Sequence, residues 1–288
     1  MQKSAREVLE QAQNEGWAIG AFNAANIETL RAIVAAASKL RSPVIVESSS
    51  GETKFFGAEN LVDVVKNFRE ELNLPIFINL DHSPSEEEIK VGLDAGYELL
   101  HFDGGKLPFE ENVEKTKRIV EQAHAKGLLV EGEIDHIGGS SAPHLGESAE
   151  SAQKSTTYTD PDKAAEFCKE TGVDTFAAFF GNVHGVYKEP PKLDLERLKK
   201  IREKVDCFLS MHGGSGIKDE DVREAIKVGR IAKINVNTEM RVAFREALEH
   251  DLKKTDEVAI YKIMPPVIEA VQKVVEEKIK VFGSEGKA

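Results

Sequence analysis

Short apolar runs alternate with helical patterns along most of the chain. Each run is five or six residues long, a length typical of buried strands, whereas the segments between them repeat apolar residues at helical spacing. Strand and helix in regular alternation indicate βα units and a parallel sheet. The predicted strands are residues 18–22, 43–47, 75–80, 98–102, 128–133, 175–180, 207–211 and 231–236.

Helix boundary signals support this alternation. Ser85 with Glu88 predicts a capping box, and a helix is expected to start at Asp160-Pro161 and to end at Gly172. Eight βα units in about 250 residues fit a closed barrel, whereas a doubly wound sheet usually has about five or six strands and a glycine-rich first turn. We therefore predict an α/β fold, a (β/α)8 TIM barrel, as a single domain over residues 1–288.

Two segments differ from ordinary barrel connections. Residues 136–158 are long and polar, which predicts an active-site lid or a mobile loop. Residues 265–282 form an apolar helical pattern. We expect this C-terminal helix to dock on the barrel, and a subunit interface is the alternative.

Composition narrows the classes of function. The 288 residues carry a net charge of -12 without a basic stripe, which argues against nucleic acid as a partner. No apolar run approaches the roughly 20 residues of a membrane span, and the two isolated cysteines suit a reducing compartment. We expect a cytoplasmic homo-oligomer, a dimer or a tetramer, that has no membrane partner.

The ends of the predicted strands carry chemically reactive side chains. His82, His184 and His212 come from three separate strand ends, which meet at one rim of a barrel. Three neutral imidazoles leave an open position on an ion, as a catalytic zinc requires, although cobalt, manganese or iron would also fit. Glu133 and Asp103 are further ligands, partners of the imidazoles, or polar lining of the barrel mouth.

A second group of residues favours an anion. "HGGSGI" at 212–217 follows the seventh strand and "KINVNTE" at 233–239 follows the eighth. Loops at these two positions commonly bind phosphate in this fold, through backbone amides of glycine and serine. Gly213, Ser215 and Asn235 are the candidates.

Seven motifs together resemble the class II, metal-dependent ketose-bisphosphate aldolases, the family of fructose- and tagatose-bisphosphate aldolases. The resemblance covers about residues 5–283, and the motifs are "GAFNAANIETL", "LDHSPS", "DGGKLPFEEN", "VEGEI", "HGVYK", "HGGSGI" and "KINVNTE". It implies cleavage of a ketose phosphate or bisphosphate, a sugar phosphate, to dihydroxyacetone phosphate and an aldehyde. The reaction is reversible and passes through a metal-stabilised enediolate.

The resemblance also implies roles for individual residues. His82, His184 and His212 correspond to zinc ligands, one divalent ion per subunit, and Glu133 to an acidic residue near the resting metal. Asp81 corresponds to the acid/base that acts on the C4 hydroxyl. The residues that correspond to the C1-phosphate site are Gly185, Lys188, Gly213, Ser215, Asn235 and Thr238, and those that correspond to substrate-orienting groups are Asn23 and Ser49.

The chain departs from the family pattern in five places. Relatives carry an acidic pair after the two loop glycines, whereas Gly138-Gly139 is followed here by "SSAP", so that His144, Glu147 or Glu150 would have to replace the missing acid. Where relatives have DGS, residues 103–105 are "DGG", and Asp135-His136 replaces a glycine followed by a basic or polar residue. His101 stands where relatives have an apolar residue, and we interpret it as a core histidine facing the barrel interior.

The last departure concerns the far end of the substrate. Bisphosphate-specific relatives place an arginine where this chain has Ile268, which favours a ketose 1-phosphate with an unphosphorylated aldehyde product unless Lys106 or Arg241 supplies the charge. Two further alternatives keep the same barrel. One is a metal-dependent hydrolase with Asp81 as base, and the other is a sugar-phosphate sensor that has lost catalysis.

Overall fold

Eight parallel strands close into a barrel in this computed structural model, which describes residues 3–288. The barrel strands follow one another in chain order, as the sequence predicts for a (β/α)8 fold. They are β1 (Ile19–Asn23), β2 (Val44–Ser49), β3 (Ile76–Ser83), β4 (Leu99–Phe102), β5 (Leu129–Glu133), β7 (Thr175–Ala177), β9 (Phe208–Met211) and β10 (Ile231–Val236), while β6 (Gly139–Ser148) and β8 (His184–Glu189) pair outside the barrel.

Helices connect the strands around the outside of the barrel. They are α1 (Ala5–Glu15), α2 (Ile27–Leu40), α3 (Ser50–Phe56), α4 (Ala58–Leu72), α5 (Glu86–Ala95), α6 (Phe109–His124), α7 (Ala149–Lys154), α8 (Pro161–Thr171), α9 (Leu195–Lys204), α10 (Asp219–Gly229), α11 (Thr238–Leu252) and α12 (Ile260–Phe282). Asp160 caps α8 and Gly172 ends it, as predicted. Ser85 caps α5, but the Glu88 carboxylate accepts a hydrogen bond from Ser50 and does not complete the capping box.

The barrel interior changes character along its axis. At the amino-terminal end, α1 packs Val8, Leu9 and Ala12 against an apolar layer that closes the barrel. That layer includes Ile45, Phe77, Leu99 and Leu129. Two residues further along the same strands, and therefore on the same face, stand Glu47, Asn79, His101 and Glu131, all of them buried. The apolar base thus supports a polar layer directly beneath the rim.

Residues 136–158 are more regular than the expected loop. β6 pairs in parallel with β8, and α7 follows it. The sequence does not announce this strand, because most β6 side chains are exposed and no apolar alternation marks it. The segment nevertheless lies at the rim, where the N–H of His184 donates to the carbonyl oxygen of Gly138 at 2.9 Å.

α12 begins five residues before the predicted start at residue 265. Pro265 and Pro266 lie inside the helix, although proline is usually confined to a first turn. Val267, Val271, Val275 and Ile279 are buried and face the body of the chain. Among residues 3–288, no helix combines the length and the hydropathy that a membrane crossing requires.

Candidate active site

Three histidine side chains meet at the carboxyl-terminal rim of the barrel. Nε2 of His82 is 3.2 Å from Nε2 of His184 and 3.0 Å from Nδ1 of His212. Ring nitrogens that share one tetrahedral ion at ~2.0–2.1 Å are about 3.3 Å apart. Both spacings from His82 therefore suit ligands of a single divalent ion.

Two of the imidazoles are oriented through their other nitrogen. Nδ1 of His184 donates to the carbonyl oxygen of Ile137 at 3.3 Å, and Nε2 of His212 donates to Oε1 of Glu131 at 2.6 Å. Burial lowers the pKa of His184 to about 4 and that of His212 to about 3. Both rings are therefore neutral near pH 7 and present a lone pair to the centre, as metal ligands must.

The backbone of His82 aims its ring at this cluster. His82 has φ 47°, in the left-handed region that few non-glycine residues occupy. It lies in an irregularity of the pairing between β3 and β4, between Leu80 and Ser83. Such a bulge turns a side chain away from the regular alternation of a strand, and here it directs His82 toward His184 and His212.

Two carboxylates lie beside His82. Oδ2 of Asp103 accepts from Nδ1 of His82 at 3.1 Å. Both oxygens of the buried Glu133 and Oδ1 of Asp103 have no hydrogen-bond partner within residues 3–288. Burial and then the charge of Asp103 raise the pKa of Glu133 well above its usual range. Unpaired buried carboxylates are costly, and a divalent cation at the neighbouring histidines would offset that cost, so these residues fit a metal.

Asp81 is held by two amides. Its carboxylate accepts from Nδ2 of Asn23 and from Nδ2 of Asn235, each at 3.2 Å. Burial alone would raise the pKa of Asp81, but His82, His101, His212 and Lys233 together outweigh it and hold that pKa well below the usual range. Asp81 is thus a fixed carboxylate next to the histidine cluster.

A glycine-serine turn and a helix terminus form the other side of the cleft. Gly213 has φ 65°, and a Cβ there would lie 2.3 Å from the carbonyl oxygen of Val183. Oγ of Ser215 accepts from the backbone N–H of Glu239 at 3.4 Å, in the first turn of α11. Unpaired first-turn N–H groups attract anions. The cleft is lined by Asn23, Asp81, His82, Ser141, His184, His212, Gly213, Ser215, Asn235, Asn237 and Thr238.

Three of the predicted binding residues lie outside this cleft. Ser49 is the N-cap residue of α3, and its hydroxyl donates to Glu52 at 2.8 Å. Gly185 lets β6 approach β8, because a Cβ there would lie 2.8 Å from the carbonyl oxygen of Ser140. Lys188 is exposed further along β8.

The three candidates for the missing loop acid also stay outside. His144 stacks on Tyr187 with ring centroids 4.7 Å apart and has Glu147 3.7 Å away. Glu150 pairs with Lys154 in α7 at 2.6 Å. Ser141 is the residue of β6 that lines the cleft. Arg241 binds the Ser141 carbonyl oxygen at 3.1 Å and thereby ties β6 to α11.

The buried polar layer supports the site, and most of its residues are not among the candidates from the sequence. Glu131 accepts from His212, from Ser210 at 2.9 Å and from Nζ of Lys233 at 2.9 Å. Nζ of Lys233 is also 3.8 Å from Oε2 of Glu47. Strand parity was the available signal, since Glu131 precedes Glu133 by two residues and Lys233 precedes Asn235 by two.

Ile268 does not reach the cleft of its own chain. It lies on α12 and lines a surface groove together with Ile27, Arg31, Ile260 and Tyr261. The side chain at position 268 therefore does not line the cleft that holds Asp81, and within one chain Ile268 does not favour a ketose 1-phosphate.

The fold and the site together define a (β/α)8 enzyme with a histidine-rich centre suited to a divalent metal. Comparison with known proteins identifies the family. The model for "Fructose-bisphosphate aldolase class-II" matches residues 3–287. A fructose-bisphosphate aldolase from Geobacillus stearothermophilus is 40% identical over 99% of this chain and 98% of the relative.

Solved structures agree. The YdjI aldolase from Escherichia coli has a TM-score of 0.84 and 33% identity over 100% of both chains. A putative fructose-1,6-biphosphate aldolase from Coccidioides immitis has a TM-score of 0.86 and 28% identity, covering 98% of this chain and 97% of that one. The chain belongs to the class II fructose-bisphosphate aldolase family. It is a lyase that catalyses retro-aldol cleavage, and its family implies a divalent metal. The hydrolase, sensor and ketose 1-phosphate alternatives are not favoured.

Proposed function

We propose that the enzyme reversibly cleaves a ketose bisphosphate to dihydroxyacetone phosphate and an aldehyde, with Zn²⁺ bound by His82, His184 and His212. Fructose 1,6-bisphosphate is the first substrate to test, because the Geobacillus stearothermophilus relative is named a fructose-bisphosphate aldolase and the Coccidioides immitis structure is named a putative fructose-1,6-biphosphate aldolase. The observation that carries this proposal is the cluster of three imidazole nitrogens beside a fixed Asp81 carboxylate. The bound ion would supply Lewis acidity to the carbonyl and enediolate oxygens.

Asp81 is the proposed acid/base. As a carboxylate it accepts the proton of the C4 hydroxyl during cleavage and returns it during condensation. Asn23 and Asn235 hold the two oxygens of Asp81, so that its orientation is set before substrate binds. Glu133 is the buried carboxylate that would lie beside the metal in its resting position.

The C1 phosphate would bind at the amino-terminal end of α11. Backbone amides near Gly213 and Ser215, together with Asn235 and Thr238, offer donors there. Arg241 lies at the edge of the cleft, paired with Glu52. It is a candidate for contact with a second phosphate. Gly185 and Lys188 would join the phosphate site through β8, and Ser49 would act through Glu52, which also binds Asn23.

Replacement of His212 by alanine tests the metal site. The variant should lose most of its bound Zn²⁺ and its cleavage activity while the barrel stays folded, because one of three ligands is gone. Metal analysis, circular dichroism and a coupled cleavage assay measure these three properties. His250→Ala, at an exposed histidine on α11, is the matched control and should keep all three. Full metal content and activity in His212→Ala would refute the proposal.

A homo-oligomer also belongs to this proposal. Ile27, Ile260 and Tyr261 are exposed around the groove beside Ile268, and Tyr261 is 77% exposed. Contiguous exposed apolar groups commonly mark an interface, and a second copy of the chain would cover them. Sedimentation velocity tests this, and a monomer at micromolar concentration would contradict it.

A further inference from the structure

His101 is a buried histidine that contacts the metal site without being one of its proposed ligands. It lies on β4 in the barrel interior and is fully buried. Its ring centroid is 4.6 Å from that of His82 and 4.8 Å from that of His212. A buried imidazole needs polar partners for both of its nitrogens. The contacts of the two His101 nitrogens therefore indicate its role.

The first partner is the backbone of His82. The N–H of His82 donates to Nδ1 of His101 at 3.3 Å. His82 is the residue in the left-handed conformation, with φ 47°. A hydrogen bond to its peptide N–H holds this uncommon conformation in place. His101 thereby helps to fix the direction in which the His82 ring points.

The second partner is Glu133. Because Nδ1 of His101 accepts, the proton of the neutral ring is on Nε2. Nε2 faces Oε2 of Glu133 at 3.3 Å. Within residues 3–288, neither Nε2 of His101 nor Oε2 of Glu133 makes a hydrogen bond of acceptable distance and angle, with each other or with another group. A small rotation of the Glu133 carboxylate would complete the bond between them.

We propose that His101 is a positioning residue that joins the His82 peptide to the Glu133 carboxylate and sets how tightly the centre holds its divalent ion. The Glu133 contact makes the larger contribution, because Glu133 has no other donor among the described residues. This inference rests on the metal site of the proposed function. An apolar residue at position 101 would make neither contact, so the pairing is a feature of this chain's own sequence.

Three substitutions separate the two contacts. His101→Met removes both. His101→Gln places an amide nitrogen near the position of Nε2 and keeps the donor to Glu133, whereas His101→Asn places an oxygen near the position of Nδ1 and keeps the acceptor for His82. Leu99→Met, two residues earlier on the same face of β4, is the matched control in the apolar layer.

The measurement is Zn²⁺ affinity, obtained by competition with a chelator on metal-free protein, with thermal unfolding as a check of folding. Loss of a group that orients a metal ligand typically weakens metal binding by about 10- to 100-fold, and we expect a Kd increase of that size for His101→Met and for His101→Asn. His101→Gln should recover most of the affinity, and Leu99→Met should bind as the wild type does. In a Glu133→Gln background, His101→Met should have little further effect.

Two results would overturn the inference. One is wild-type Zn²⁺ affinity in His101→Met, and the other is recovery by His101→Asn without recovery by His101→Gln. If His101→Met fails to fold, the Asn and Gln variants still decide the question. Failure of the proposed function looks different, because the wild-type protein itself would then bind no Zn²⁺.

Discussion

The two ends of the barrel interior are formed by the same strands, but one end is apolar and the other is polar. Ile45 and Glu47 stand two residues apart on one face of β2, as Leu129 and Glu131 do on β5. The lower member of each pair belongs to the apolar layer under α1, and the upper member belongs to the buried polar layer. A step of two residues, about 7 Å along a strand, separates the apolar layer from the buried polar layer that supports the site.

This contrast shows how stability and function are divided in the molecule. Apolar burial at the base contributes about 25 cal/mol for each Å² removed from water. The polar layer costs desolvation energy, which only mutual pairing offsets. Lys233, Glu131 and His212 form such a chain, at 2.9 Å and 2.6 Å. Apolar burial at the base therefore offsets the free-energy cost of the buried polar layer.

The largest effect is expected at the rim, in Asp81→Ala. Loss of an acid/base group typically lowers the rate by about 10²- to 10⁴-fold, so kcat/KM for cleavage should fall by that factor. Exchange of the C3 proton of dihydroxyacetone phosphate with solvent should persist, because the proposed action of Asp81 is on the C4 oxygen. Coupled assays and proton exchange by NMR measure the two steps.

The control is Asp174, a buried carboxylate at the opposite end, where it accepts from the N–H of Val130 at 2.8 Å. Asp174→Asn should leave cleavage nearly unchanged. An equal large loss of exchange and cleavage in Asp81→Ala, at full metal content, would contradict the assigned role.

The next effect concerns the polar layer, in Lys233→Met. Burial alone would lower the pKa of Lys233, but Glu131 and Glu47 raise it, so the buried amine is charged. Removing one partner of a buried ion pair costs about 3–5 kcal/mol, because the remaining charge is uncompensated. Urea denaturation should show this loss in the free energy of unfolding. Adding Glu131→Gln should restore part of it, and a loss below about 1 kcal/mol would mean that the layer is hydrated.

The sequence predicts the barrel well because strands buried on both faces read as apolar runs. The start of each barrel strand lies within one residue of its prediction, whereas β7 ends at Ala177 instead of residue 180. β6 was missed because its side chains are polar and exposed and its pairing with β8 lies far along the chain. Local pattern carries no signal for such a contact.

The candidate site also contains some residues that the sequence indicates and others that it does not. Residues at strand ends, such as His82 and His212, could be proposed from the sequence because the fold places strand ends together. Glu131 and Lys233 were not proposed, because a charged residue inside a strand becomes meaningful only when its partner is known. His101 was assigned to the interior from strand parity, but its contacts with His82 and Glu133 depend on a bulge that no propensity predicts.

The smallest effect is expected at the base, in Ile45→Val. Removing one buried methyl group should cost about 0.5–1.5 kcal/mol of unfolding free energy. kcat/KM should stay within about twofold of the wild type, because the deleted methyl group lies in the apolar layer, away from the reacting groups. The matched change two residues along β2 is Glu47→Met. There Oε2 accepts from Asn235 at 3.2 Å and from Asn79 at 3.0 Å, and a methionine side chain removes this acceptor and loosens the hold of Asn235 on Asp81. Glu47→Met should therefore lower kcat/KM by at least about tenfold. If Ile45→Val impairs turnover as much as Glu47→Met does, the two layers act as one unit and the division between packing and chemistry does not hold.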